Sequence, residues 1–470
     1  MKKPSPKLLI IALLGVHLIT SLVILYLFEG TGERGSGDSI LHYLFSKYAI
    51  STPQLFFNHW AKPVFVLLSF PFAQFGILGM KVFNISIASL TIYYTYQTSQ
   101  QLQLKNTLIA PILLLCIPLY FVLTFSGLTE ILFALFTIFC TYQVLKKNYL
   151  IAAIVLSFLP FVRSEGLLII GVFGFFLAIK KQWKMIPYLI FGHVAYALVG
   201  YFYYEDMLWV FTKIPYAKLS STYNSGDLFH FVHQLFYVVG TPIYALLVIG
   251  IIALIISAFK SAKNLLNESS ILILGVFLSY FIAHSLFWYL GIFNSMGLKR
   301  VLVGVAPFMA IIGLCGYNFI SENIKNENLK KTTQLLVLIT VIIFPFSGNK
   351  SAIDWEKDLA LNNSQLLAKE LVEYIHTSEK VYSKYVFTKP YFSELLNINP
   401  FDTNVRLELT KENLKQLKSN ELIIWDNWFN VVENGMSEKF IRSHPELQEL
   451  KTFTTQDDGR DVKYILFKRK

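Results

Sequence analysis

Eight side chains able to carry charge or move protons stand at the edges of long apolar runs: Asp38, His42, His59, Glu130, Arg163, Glu165, Lys299 and Arg300. Ionisable groups at the border of an apolar layer cost free energy, so each asks for a reason. Carboxylates offer general-base chemistry, and arginine offers a planar fork of donors that suits phosphate. Asp38 opens the amphipathic stretch DSILHYLFSKYA and follows the glycine-rich GERGSG. The glycines let the backbone turn sharply and bring a carboxylate close to a ligand. Simple helix N-capping is the plain account of the same aspartate. His42 lies four residues on, on the same helix face, placed to tune the carboxylate or only to sit at the surface. Arg163 and Glu165, in FVRSEGLL, are two apart and suit a turn. There they either line a cavity or stitch two helices as an ion pair. Lys299 and Arg300 either snorkel at a span end or hold an anionic head group. No His or carboxylate spacing demands a metal, and a divalent ion stays open.

These residues are positioned by a chain of 470 residues, 54% apolar and only 15% charged. A soluble protein of this size is about one quarter charged. The shortfall falls in residues 1–347, and 348–470 read as a soluble domain. Apolar runs predict about eleven transmembrane helices, near 8–28, 79–97, 107–123, 129–145, 149–162, 166–179, 185–204, 236–259, 270–290, 301–320 and 332–347. The first follows Lys2, Lys3 and Lys7, is too long for a signal-peptide core and lacks a cleavage site, so it is read as a retained span. The stretch 63–78 is short and proline-broken, and is read as re-entrant or lying at the membrane surface. With the N-terminus in the cytoplasm, the inner segments carry fourteen lysines and the longer outer loops eight cations. Positive charge favours the cytoplasmic side, which puts all eight side chains and the C-terminal domain outside. The net charge of +11 follows from this sorting, so nucleic acid is set aside as a partner. Three cysteines, all in apolar runs, predict no disulfide framework and no zinc site. In the tail, Leu367, Leu371 and Ile375 recur at helical spacing. KVYSKYVF, ELIIWDNW and DVKYILFK read as strands, with a helix-like MSEKFIRSHPEL between the last two, which makes a small extracytoplasmic α/β domain.

The order GDSILHYLF, NHWAKPVFVLLSFPF, FSGLTEILFALF, FVRSEGLLII, YAKLSSTYNSGDLFHFV and GLKRVLVGVAPFMAI resembles the GT-C superfamily of membrane glycosyltransferases, of the protein mannosyltransferase and lipid A aminoarabinose transferase kind. The patterns are short, but together they span the chain. The resemblance implies transfer of a sugar from a polyprenyl-phosphate donor to an unknown lipid, glycan or protein acceptor. It implies Asp38 as the base that activates the acceptor hydroxyl, Arg163 and Glu165 in the cavity wall, and Arg300, with Lys299, against the lipid phosphate. The chain departs from the family in two places. Asp38 is followed by Ser39 where many members pair two acids, and Ser164 stands where proline is frequent. The rival class is a transporter without covalent chemistry, which usually shows matching halves and midplane charges. Neither is visible here.

Overall fold

The computed structural model describes residues 5–32, 37–215, 221, 223–378 and 380–469. Most of the glycine-rich stretch before Gly37, and residues 216–220 and 222 of YAKLSSTYNSGDLFHFV, lie outside the described residues.

Seven helices among the described residues are long and apolar enough to cross a membrane: Pro6–Leu27, Gly76–Gln101, Trp183–Tyr204, Thr241–Phe259, Ser269–Leu290, Lys299–Asn323 and Glu327–Phe346. Three further apolar helices, Glu130–Leu145, Tyr149–Phe161 and Gly166–Ile179, are shorter. The run expected at 107–123 is two helices, Ile109–Cys116 and Pro118–Thr124. Pro118 has no N–H to continue the first ladder, so the chain restarts there. These segments answer one for one to the eleven apolar runs, and the chain is a membrane protein. The run expected at 236–259 starts later than read: His230–Val239 is a separate helix, ended at Gly240.

The ambiguous stretch 63–78 contributes the helix Pro63–Ala73. Its 11 residues reach roughly 16 Å, about half of a bilayer's hydrocarbon thickness. It packs beside the amphipathic helix Asp38–Tyr48, to which it is tied by the buried Ser46–Ser69 hydroxyl pair at 2.8 Å. Lys299–Asn323 is the most deeply enclosed of the long helices; Leu302, Val303, Val305, Phe308, Met309 and Ile311 are all fully buried.

The C-terminal part is a mixed sheet of β1 (Lys384–Val386), β2 (Arg406–Leu407), β3 (Glu421–Asp426), β4 (Leu447–Asp457) and β5 (Arg460–Arg469), in the order β2-β1-β3-β5-β4. β1 runs parallel to β2 and β3, and β5 runs antiparallel to β3 and β4. Side chains of β3 alternate between faces, as the pleat requires. Leu422 and Ile424 join the apolar core that runs on into the helical bundle. Ile423 and Trp425 face a second core with Leu414, Met436 and Ile441. The helix Asn363–Thr377 covers the first face and buries Leu367, Leu371 and Ile375. It starts at a capping box between Asn362 and Gln365, which satisfies two end donors.

β4 corrects the sequence reading, which placed only a helix between the last two strands. That helix, Glu438–Arg442, is present but short, and an 11-residue strand follows it. The strand exposes Lys, Thr, Gln and Glu on its outer face, so its apolar signal is weak. The hairpin turns at Asp458-Gly459, both with positive φ, as a two-residue turn of this kind demands.

The sheet domain is fastened to the bundle beside the Asp38 helix. Gly30 N–H donates to the Leu359 carbonyl at 2.8 Å, Lys369 pairs with Glu29 at 2.8 Å, and Lys47 pairs with Glu394 at 3.4 Å.

Candidate active site

The Asp38 helix begins at Asp38 itself. Gly37 precedes it with φ of 97°, a conformation open mainly to glycine. Asp38 therefore occupies the first turn and is not the N-cap, so capping does not account for it. The next residue, Ser39, is a structural staple. Its hydroxyl accepts the Gly127 N–H at 2.7 Å and donates to the Thr31 carbonyl at 3.1 Å. A Cβ on Gly127 would lie 2.5 Å from the Ser39 carbonyl oxygen, so only glycine permits this approach. Asn84 fixes the same turn from the other side by donating to the carbonyls of Ser126 and Leu128 at 2.7 and 3.0 Å. The turn leads directly into Thr129 and Glu130. The serine that departs from the paired-acid pattern thus locks the Asp38 turn against the Glu130 turn.

Glu130 is 1% exposed and sits between two arginines. Arg163 Nη1 lies 2.8 Å from Glu130 Oε1, and Arg300 Nε lies 3.6 Å from the same oxygen. Arg163 also reaches Glu165 Oε1 at 2.9 Å and the Thr129 hydroxyl at 3.1 Å. Arg300 pairs directly with Asp38. The result is one chain of alternating charge: Asp38, Arg300, Glu130, Arg163, Glu165. It is assembled from four separate stretches of sequence.

Two further residues belong to this group that the sequence reading did not single out. Lys62 is buried and donates to the Ser164 hydroxyl at 3.1 Å. Its backbone has φ of 68°, a strained conformation for a lysine and a frequent mark of a functional position. Asn58 holds that turn by accepting the N–H groups of Trp60 and Ala61 at 2.9 and 3.1 Å. Burial lowers the Lys62 ammonium to about 8, while Glu165 works the other way. His284 Nε2 lies 3.7 Å from Glu165 Oε1. Ser164, the second departure from the family pattern, is the residue that receives Lys62.

Of these side chains, Asp38, Lys62, Arg163, Glu165, His284 and Arg300 meet at a cavity of ≈ 930 Å³, near the upper end of the usual range for ligand pockets. The bundle also lines it with His42 and Trp60, and the sheet domain adds Arg406, Glu408, Phe429 and Glu433. The aromatic contribution is large. Trp60 stacks on His42 with ring centroids 4.8 Å apart, and Phe45 meets Phe401 at 4.6 Å. Burial holds the His42 imidazole at about 3, so it is neutral at physiological pH.

Not every expected residue reaches the cavity. His59 packs among aromatics, 5.0 Å from Trp209 and 6.2 Å from Phe161 between ring centroids, and does not line it. Lys299 is exposed, with its ammonium over the Tyr237 ring. It too is absent from the lining, in contrast to the binding role expected for it. Glu130 stands behind the two arginines, where it positions them without facing the cavity. Among the described residues, no group of three or more His, Cys, Asp or Glu side chains is arranged to hold a metal ion.

Comparison with known proteins gives no match to a family model and none to a curated sequence. Solved structures do match. ArnT from Cupriavidus metallidurans bound to undecaprenyl phosphate superposes with a TM-score of 0.65 at 10% identity, covering 98% of both chains. Its apo form gives 0.61 at 10% identity over 97% of this chain and 98% of that one. The chain has the fold of these proteins. The oligosaccharyltransferase of Archaeoglobus fulgidus in its apo form matches less closely, at 0.52 and 12% identity, over 89% of this chain and 70% of that one. At such identities the likeness lies in the path of the backbone, and at 98% coverage the C-terminal sheet of this chain is included in it.

Proposed function

We propose that this protein is a membrane glycosyltransferase that takes a sugar from a polyprenyl-phosphate donor and places it on an acceptor hydroxyl. The observation that carries the reading is the meeting of Asp38 with Arg300, Arg163 and Lys62 at one aromatic-rich cavity, in a chain with the fold of ArnT. On the lysine distribution, the cavity opens on the outer face of a cytoplasmic membrane, with the N-terminus inside and residues 348–470 outside.

The charges suggest how the steps are coupled. Asp38, Glu130 and Glu165 balance Lys62, Arg163 and Arg300, so an arriving phosphate must displace a resident carboxylate. Asp38 is the exchangeable partner: its side chain is 35% exposed, whereas that of Glu130 is 1% exposed. Arg300 transfers from Asp38 to the donor phosphate, and Asp38 is left free beside the acceptor. The acceptor oxygen then attacks the anomeric carbon from the face opposite the phosphate. The carbon–oxygen bond to phosphate breaks, its electron pair stays on the phosphate, and the hydroxyl proton passes to Asp38. The leaving phosphate gains negative charge as the bond breaks, so cations held close to it stabilise the transition state more than the bound donor. A single displacement inverts the anomeric centre.

Lys62 supplies a test. A charge-assisted hydrogen bond is worth about 1.5–3 kcal/mol. Lys62→Met is expected to weaken undecaprenyl phosphate binding by roughly 10- to 100-fold, as read by native mass spectrometry or scintillation proximity. In the unaltered protein the affinity falls as pH rises through about 8, where the ammonium loses its charge. Unchanged affinity in the variant, with no alkaline decline in the parent, would remove Lys62 from the phosphate site.

A further inference from the structure

The proposed reaction leaves a proton on Asp38, and that proton has to leave before the next turnover. When the product phosphate departs, Arg300 returns to Asp38, and an aspartate paired with a guanidinium is a poor place for a proton. Its proton therefore needs a second acceptor, close by and in contact with water.

The sheet domain supplies one. Glu433 lines the same cavity as Asp38 and is open to solvent on its outer side. It directly follows the short helix Phe429–Val432, and that helix is held rigidly. Asp426 Oδ1 accepts the N–H groups of Trp428 and Phe429 at 3.0 and 2.6 Å. Asn430 and Asn434, on either side of Glu433, both donate to the Thr388 hydroxyl at 2.9 Å. Asn434 also donates to the Leu409 carbonyl at 2.9 Å. The helix abuts the start of the Asp38 helix: a Cβ on Gly37 would lie 3.1 Å from Phe429 Cζ. His42, also in the wall and 7% exposed, has no hydrogen-bond partner for Nδ1. A buried polar atom left unsatisfied at a cavity is what a substrate hydroxyl would complete.

The groups facing Glu433 are mostly acidic or neutral. Asp38 acts on it electrostatically from the bundle, Glu408 from the segment after β2, and Asp426 from the end of β3, while Tyr223 feels both Glu433 and Asp38. The cations nearby are engaged elsewhere: Arg300 pairs with Asp38, Lys389 acts on Asp426, and Arg406, in the same wall, donates to the Phe387 carbonyl at 2.7 Å and acts on Glu408. Partial burial, reinforced by the three neighbouring carboxylates, pushes Glu433 up to about 7. A base titrating near working pH both accepts and releases a proton readily.

We propose that Glu433 is the second station of the acceptor's proton: Asp38 takes it during transfer, and Glu433 receives it and releases it to solvent at the cavity rim. This rests on the glycosyltransferase reading. It gives the sheet domain a share in the chemistry, beyond capping the cavity. The balance is complete: the proton leaves the acceptor oxygen, resides on Asp38, moves to the Glu433 carboxylate and ends on water as the phosphate product leaves.

The experiment uses the full-length protein in nanodiscs with a panel of undecaprenyl-phosphate-linked pentoses, hexoses and amino sugars. Membrane lipid extract serves as acceptor, and released undecaprenyl phosphate is the readout. Wild-type kcat should rise with pH through about 7, because the ionised carboxylate is the accepting form. In Glu433→Gln, kcat should fall at least tenfold, KM for the donor should stay within twofold, and the limb near 7 should vanish. Glu433→Asp should restore part of the rate and retain an acid limb. Undecaprenyl phosphate binding should be unchanged in both variants, which separates this proposal from the reading beneath it. If the panel gives no product, infrared titration decides: a protonated-carboxyl band persisting to near neutral pH should be lost in Glu433→Gln. A Gln variant with wild-type kcat and an intact acid limb, or one that keeps that band, overturns the proposal. Loss of undecaprenyl phosphate binding by the wild type would instead overturn the glycosyltransferase reading.

Discussion

Asp38→Asn is expected to abolish transfer while leaving the donor site occupied. General-base catalysis contributes roughly 10²- to 10⁴-fold, and an amide cannot take the proton. Turnover should therefore fall by at least about 100-fold. The accompanying change in binding is more specific to this account. Asparagine no longer holds Arg300 through opposite charge, so the guanidinium is already available to phosphate. Undecaprenyl phosphate should bind the variant as tightly as the parent, or more tightly. Parallel loss of binding and turnover would mean that Asp38 shapes the phosphate site and does not act as the base. Full activity would remove it from the chemistry.

The second large effect concerns the charge chain behind the cavity. Glu130 is almost fully enclosed, and one of its carboxylate oxygens has no hydrogen-bond partner. Its compensation comes from Arg163 at 2.8 Å and, less closely, from Arg300 at 3.6 Å. Removing one member of a buried pair leaves the other charge uncompensated, at a cost of about 3–5 kcal/mol. Arg163→Met should lower the thermal unfolding temperature markedly in detergent-solubilised protein. Adding Glu130→Gln should recover a large part of that loss, because the more deeply buried of the two stranded carboxylates is then neutral, Glu165 being 18% exposed. Neither protein should transfer sugar, since the cation at the cavity wall is missing from both. A double variant no more stable than Arg163→Met alone would show that the arginine acts through its packing and not through its charge.

Much of the scaffold was legible in the chain, for physical reasons. A bilayer dictates the length of an apolar run, so eleven segments could be placed by counting. Arg163 and Glu165 announced themselves because two residues of opposite charge, two apart after a proline-disturbed helix, suit a turn. Lys62 and His284 carried no such signal. Lys62 sits in a short loop as an ordinary lysine before proline, and His284 is a lone histidine in the middle of a long apolar helix. Both acquire meaning only when Ser164 and Glu165 are brought against them. Arg406, Glu408 and Glu433 were silent for the same reason, because the folding of the sheet against the Asp38 helix puts them in the cavity wall. His59 is the reverse case. Its residue type and setting pointed to a site, but Trp209 and Phe161 enclose it. Glu130 was conspicuous as an acid at the head of an apolar helix, and its place is behind the arginines.

On the proposed mechanism, the phosphate of a polyprenyl lipid is held in this cavity by Arg300 and Lys62, displacing Asp38 from Arg300. A cryo-electron-microscopy map of the protein with undecaprenyl phosphate is the decisive experiment. Phosphate density is expected within hydrogen-bond distance of the Arg300 guanidinium and the Lys62 ammonium, with the Asp38 carboxylate turned away and facing the cavity. A phosphate bound elsewhere on the bundle, with the Asp38–Arg300 pair still closed, would contradict it.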